Sequence, residues 1–304
     1  MTSATPRTCF FGLPRMGSWK IRAGQIAAAR PSWRSAEKLT PETILDNDVF
    51  CAIKRPFRSR MRLLQGLGKV VLYDVLDCWQ QPEDGLACTD MDKVLRWFEE
   101  WFADMAVDGV IFPNRTMMED LGHLVPNPVC LYHHFWPGME PIEIRREARV
   151  VGYQGEAEYL GPWRRVLERA CRRFGLEFVA NPGDLRSLDI GIAARGGEHA
   201  CLMSHRYKSN VKLANFYGAA IPCVVNTAEE SYRETDNGEV RFFTTPEELE
   251  ARIEELLPYD TRVHVHRSFL VARKDYTLEA IADRYEHYIR GVVAQRAAAI
   301  PTNR

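Results

Sequence analysis

What most constrains this chain is a repeated alternation. Short, unbroken apolar runs recur from end to end, separated by stretches of helical periodicity. In the first half the runs are Thr8-Cys9-Phe10-Phe11-Gly12, 48–54, 69–74, 109–113 and 129–132; in the second they are 149–153, 176–180, 188–194, 221–225 and 239–243. A strand with one wet face alternates apolar and polar residues, whereas an unbroken apolar run belongs to a strand covered on both faces. Such strands between helices imply an α/β fold with parallel sheets and helices on each side. The spacing predicts helices over 19–29, 92–105, 163–174 and 278–293. In the second of these, Val94, Leu95, Trp97, Phe98, Trp101, Phe102 and Met105 recur at three- and four-residue steps. Thr245-Pro246-Glu247-Glu248 reads as a capping box opening another helix. Pro137-Gly138-Met139-Glu140-Pro141 breaks the pattern, which restarts at 149. The 304 residues therefore divide into two similar halves, as expected at roughly 150 residues per domain.

Composition narrows the function classes. Lys plus Arg number 40 against 41 for Asp plus Glu, a net charge of -1. That argues against a dedicated nucleic-acid binder, which carries a basic excess. No run approaches the roughly 18 to 20 apolar residues of a membrane span, and Met1 to Arg7 lacks an apolar signal core. Eight cysteines without a Cys-x-x-Cys pair read as buried free thiols. Together these point to a cytoplasmic protein.

Ligands of open parallel sheets bind beyond the carboxyl ends of the strands, near helix N-termini. In the second half this selects the loops 153–161, 195–210 and 226–235. Within them lies Ser204-His205-Arg206-Tyr207-Lys208-Ser209-Asn210-Val211-Lys212-Leu213-Ala214-Asn215. Ser209 is the expected N-cap of a helix through Ala219. Arg206, Lys208 and Lys212 crowd its positive end, an arrangement that an anion such as a diphosphate would compensate. Gly152-Tyr153-Gln154-Gly155 is a strand-to-helix turn whose Gly155 would let backbone approach a phosphate. It is not the full Gly-x-Gly-x-x-Gly pattern, so a dinucleotide cofactor is not expected. His133-His134 and His264-Val265-His266 do not suggest a metal site: neighbouring side chains on a strand diverge, and the second pair has no third ligand. Lys54-Arg55-Pro56-Phe57-Arg58-Ser59-Arg60-Met61-Arg62 reads as a cationic surface loop, with nucleic acid contact as its alternative.

Lys208 to Pro222 resembles the donor-site helix of GT-B glycosyltransferases, especially family four, in which a Lys precedes a small-residue helix ending in Gly-x-Pro. Leu188 to Ala193 resembles the preceding strand, and Ser231-Tyr232-Arg233-Glu234, Asn237-Gly238 and Thr245 to Leu249 resemble the segment that follows. In the first half, Gly17-Ser18-Trp19-Lys20-Ile21-Arg22 resembles the glycine loop, and Val71 to Asp77 resembles a strand ending at the cleft. The resemblance implies two Rossmann-like domains: an acceptor domain over 1–140 and a donor domain over 149–276. Residues 277–304 would form a helix and tail that pack back across the junction. It implies a sugar transferred from a nucleoside-diphosphate donor to a hydroxyl acceptor, with no resident cofactor or metal. Donor contacts would come from Gly155, Arg206, Lys208, Ser209, Asn210, Lys212, Asn215 and Tyr232, and acceptor contacts from Gly17, Ser18, Lys20 and Arg22. Asp77 leads the candidates for a base, followed by Asp74 and His134. Two departures stand out. Asn215 occupies the place of the family's second Glu, and Ala220-Ile221 replaces the Gly before Pro222. The alternatives are a GT-B enzyme glycosylating modified DNA bases and a non-catalytic nucleotide-sugar-binding protein.

Overall fold

A computed structural model describes residues 5–13, 17–55, 57–77 and 88–299. It divides into two compact units. In one, the described residues up to 77 join 90–132 and 278–299; in the other, 133–277 stand with residues 88 and 89.

The first unit is built on six parallel strands in the order β2-β1-β3-β4-β5-β6. They are β1 (Thr8–Gly12), β2 (Trp33–Ala36), β3 (Val49–Ile53), β4 (Val70–Asp74), β5 (Gly109–Phe112) and β6 (Pro128–Cys130). Every residue of β1, β3, β4 and β5 is buried, which is why their sequences run apolar without a break. Strand β2 escaped the sequence reading. It lies at the sheet edge and buries Trp33 while Arg34 and Ser35 face solvent, so no continuous apolar run marks it. The helix Met91–Ala103, capped by Asp90, buries Val94, Phe98 and Phe102, while Trp97 and Trp101 stack on each other at 5.4 Å. The last helix, Leu278–Ala299, returns to this unit. Its Ile281, Tyr285, Ile289 and Val292 enter one core cluster with Phe10, Cys51 and Leu72. Gly109 permits that approach: a Cβ there would lie 2.2 Å from the Tyr288 hydroxyl oxygen.

The second unit carries five parallel strands in the order β11-β10-β9-β7-β8. They are β7 (Val150–Tyr153), β8 (Glu177–Ala180), β9 (Ile190–Ala193), β10 (Cys223–Asn226) and β11 (Arg241–Phe243). All five fall within or one residue beyond the runs picked out by apolar continuity. The capping box at 245–248 is present, with Thr245 and Glu248 each accepting from the other's backbone N–H. The helices Leu202–Tyr207 and Tyr259–Ala272 were not legible in the sequence. The second of them holds His264 and His266, so that pair is helical rather than extended. His264 Nε2 lies 3.0 Å from the Glu239 carboxylate, and His266 Nδ1 donates to the Ala220 carbonyl at 2.8 Å.

The basic segment at 54–62 is not a loop but leads into the helix Arg58–Gly66. Its cations are engaged inside their own unit. Lys54 pairs with Asp77 at 2.9 Å, Arg58 donates to the Trp101 carbonyl, Arg60 lies over the Phe57 ring, and Arg62 approaches Asp104 at 3.9 Å. Seven described cysteines are free thiols, six of them buried; Cys78 lies outside the described residues.

Candidate functional site

The turn after β7 and the start of the helix Val211–Ala219 bring together the residues with an anion-binding character. The helix begins one residue later than expected. Asn210, not Ser209, occupies the N-cap, and no side chain caps it. Asn210 is unavailable for that task because its Oδ1 accepts the His133 N–H at 2.9 Å.

Lys212 is the centre of the site. It is 7% exposed, its Nζ donates to the Tyr153 hydroxyl, and it stands 3.8 Å from the centroid of that ring. Gly155 has φ +134, which requires glycine, and a Cβ there would also crowd Lys212 Nζ at 3.3 Å. Burial, then the charge of Arg195, and further the charge of Lys208 lower the Lys212 pKa to about 7, with Glu229 opposing them. Glu229 is 1% exposed and lies 3.6 Å from Arg195 Nε. Tyr232 is buried nearby, and its phenol is pushed well up, first by burial and then by Glu229. Burial lowers the pKa of His205, the next group around this cluster. Arg206, Lys208 and Ser209 are half-buried along the approach to the helix.

Asn215 lies one turn further along the same helix face as Lys212. Its Oδ1 accepts the Trp136 N–H at 3.0 Å, and its Nδ2 donates to Gln154 Oε1 at 2.9 Å. The amide thus ties the segment after β6 to the turn after β7. The Gly missing before Pro222 has a backbone consequence: Ala220 ends the helix in the left-handed region at φ 51, where glycine is usual.

The first unit places its candidates differently. Asp74, at the end of β4, and Arg22 are both fully buried, with Arg22 Nε 3.7 Å from Asp74 Oδ2. Tyr285 donates to Asp74, and Arg22 donates to the carbonyls of Leu131 and Tyr132. Burial raises the Asp74 pKa, with Arg22 and Tyr285 opposing it. Asp77 accepts from Lys54, and two non-glycine residues beside that pair are left-handed, Lys54 at φ 62 and Leu76 at φ 69. Gly17 and Lys20 are exposed on the helical segment that becomes a π-helix over Lys20–Gln25. The Ser18 side chain lies outside the described residues. His134 is buried in the second unit. Among the described residues, no group of three or more His, Cys, Asp or Glu could hold a metal ion, and no helix is long and apolar enough to cross a membrane.

Sequence reasoning missed Tyr153, Gln154, Arg195 and Glu229 as site residues. The first two lie inside the turn recognised for its glycines. The others lie in the loops 195–210 and 226–235, but a single Arg or Glu in a loop carries no signal of its partner.

No protein-family model and no curated protein sequence matches the chain. Solved structures do. A UDP-forming α,α-trehalose-phosphate synthase from Burkholderia vietnamiensis superposes with a TM-score of 0.56 at 11% identity, over 79% of this chain and 70% of that one. HepE of Anabaena, solved in complex with UDP and glucose, superposes with a TM-score of 0.58 at 10% identity, over 94% of this chain and 100% of that one. The chain has the GT-B fold. A third GT-B structure, the synthase from Burkholderia xenovorans in complex with glucose-6-phosphate, has a TM-score of 0.55 at 9% identity, over 83% of this chain and 75% of that one.

Proposed function

We propose that the protein is a glycosyltransferase that moves a sugar from a nucleoside-diphosphate donor, with UDP as the first nucleotide to test, to a hydroxyl acceptor. The observation that carries this reading is the buried Lys212 ammonium beside Gly155. Its direct partner is a neutral phenol, and its charged neighbours are the cations Arg195 and Lys208 against the single carboxylate of Glu229. A lysine so buried and so surrounded calls for an anion, and a diphosphate offers two phosphoryl groups to lysine and backbone together. Lys212, Lys208 and Arg206 would then stabilise the charge that develops on the departing nucleoside diphosphate. In this reading they do so without a resident metal. Asn210 and Asn215 are donor-side groups, and the neutral amide of Asn215 would meet a ribose hydroxyl where the family offers a carboxylate.

The second unit is read as mainly the donor side and the first as mainly the acceptor side, in a cytoplasmic enzyme. Asp77 remains the first candidate for the base that activates the acceptor hydroxyl. It is 9% exposed, while Asp74 and His134 are at 0% and 1%. The fully buried Arg22 is better suited to holding Asp74 than to meeting an acceptor, which leaves Gly17, Ser18 and Lys20 on the acceptor side.

Titration calorimetry with UDP, with the products of UDP-sugars followed by chromatography, tests the reading. Lys212→Ala is expected to weaken UDP binding about 10- to 100-fold, the size of a lost hydrogen bond to a charged group. Unchanged UDP affinity in the folded variant would overturn the phosphate assignment. UDP binding without any hydrolysis or transfer would instead mark a non-catalytic binding protein.

A further inference from the structure

The second unit holds a concavity of about 450 Å³ that meets the candidate phosphate site at Gln154 and otherwise is lined by residues that site does not use. It opens at the carboxyl ends of β7 and β8. Gln154 follows the first, Pro182 to Arg186 follow the second, and the segment from Trp136 to Glu140 forms a wall. Trp136 belongs to that wall and is 41% exposed.

The charges around the cavity say what it does not take. Glu140 and Asp184 stand against a single guanidinium, Arg186, whose Nη2 is already 2.7 Å from Asp184. A phosphate or carboxylate would meet a net negative rim. Polar groups interrupt every wall, so an acyl chain would leave them unpaired. What remains is a neutral ring that carries hydroxyls at its edge and apolar C–H groups on one face. Indole offers the flat apolar surface for that face, while carboxylate, amide and guanidinium offer planar acceptors and donors to neighbouring hydroxyls.

Asn215 sets the polarity of this arrangement. Its Oδ1 accepts the Trp136 backbone N–H, and its Nδ2 donates to Gln154 Oε1. The Gln154 Oε1 is thereby engaged, in a residue that lines the cavity. A glutamate at 215 would accept from Trp136 equally well but could not donate to Gln154. It would turn the amide round and leave that oxygen free. The departure at 215 thus has a ligand-facing consequence beyond the nucleotide.

We propose that this concavity is a pyranose subsite that receives a sugar ring of the acceptor. The acceptor role rests on the glycosyltransferase reading, whereas the ligand class does not. The test is saturation-transfer NMR on the full chain with methyl α-D-glucopyranoside and methyl β-D-galactopyranoside, with and without UDP, alongside calorimetry of UDP itself. At least one glycoside should receive saturation at its ring-face protons, both with and without UDP. Asp184→Asn and Trp136→Ala should each weaken glycoside binding about five- to tenfold, and Asp184→Asn should leave UDP affinity unchanged. Three results overturn the proposal: no transfer to either glycoside from folded protein, binding that neither substitution alters, or displacement of the glycoside by UDP, which would assign the cavity to the donor. Glycoside binding that persists while UDP fails to bind supports the subsite and overturns the donor reading alone.

Discussion

At the residue scale, Lys212 and Asp77 carry the strongest expectations. Because burial and Arg195 lower the Lys212 pKa to about 7, the empty site loses its ammonium as pH rises through neutrality. A bound diphosphate favours the charged form and shifts the pKa back up. UDP affinity should therefore fall from pH 6 to pH 9 with one proton taken up on binding at high pH. Calorimetry in buffers of different ionisation enthalpy reads that uptake directly, and Lys212→Arg should flatten the profile because a guanidinium stays charged. Asp77 sits beside two left-handed non-glycine residues, Lys54 and Leu76. Each such conformation costs about 1–2 kcal/mol, a strain retained where the chain has a reason to hold a geometry. Asp77→Asn is expected to lower the transfer rate at least about 100-fold, as for a lost general base, while UDP affinity stays within twofold. A loss of UDP affinity equal to the loss of rate would show that Asp77 serves folding rather than the acceptor hydroxyl.

At the scale of elements, the π-helical segment Lys20–Gln25, strand β4 and the last helix meet at one buried polar group. Arg22 and Tyr285 both address Asp74, and all three are fully buried. Removing a donor from a buried carboxylate leaves its desolvation uncompensated. Tyr285→Phe, which keeps the ring and its packing, should cost about 1–3 kcal/mol in chemical denaturation. Helix and strand positions were largely legible in the sequence because periodicity reports how an element is covered. Three of the exceptions have the same cause. Edge strand β2 is half-covered, and the helices 202–207 and 259–272 lack a clean apolar stripe. The capping box at Thr245 was legible because both partners lie within one turn. Asn210 was not, because its partner His133 is 77 positions away.

At the scale of the whole molecule, the chain leaves its first unit at 132 and returns to it at 278. The returning helix contributes Ile281, Ala282, Tyr285, Ile289 and Val292 to the core of a sheet made by residues before 131. Burying each large apolar side chain is worth about 1.5–3 kcal/mol, so their sum approaches the whole 5–15 kcal/mol margin of a folded domain. Truncation after Thr277 is expected to unfold the first unit and spare the second, which has its own core. Hydrogen exchange should show protection lost in β3 and kept in β9, with UDP binding retained.

The sequence by itself determined the α/β class, ten of the eleven strands among the described residues and the basic turn around Lys212, because burial on both faces of a sheet writes itself into consecutive residues. Only the tertiary structure decided what those polar groups meet. It gave Lys212 a phenol for a partner, sent Arg22 inward to Asp74 and turned Asn215 into a clamp between Trp136 and Gln154. A polar side chain takes its partner from whatever segment packing brings within hydrogen-bond reach, and in this protein those segments lie up to 285 positions apart.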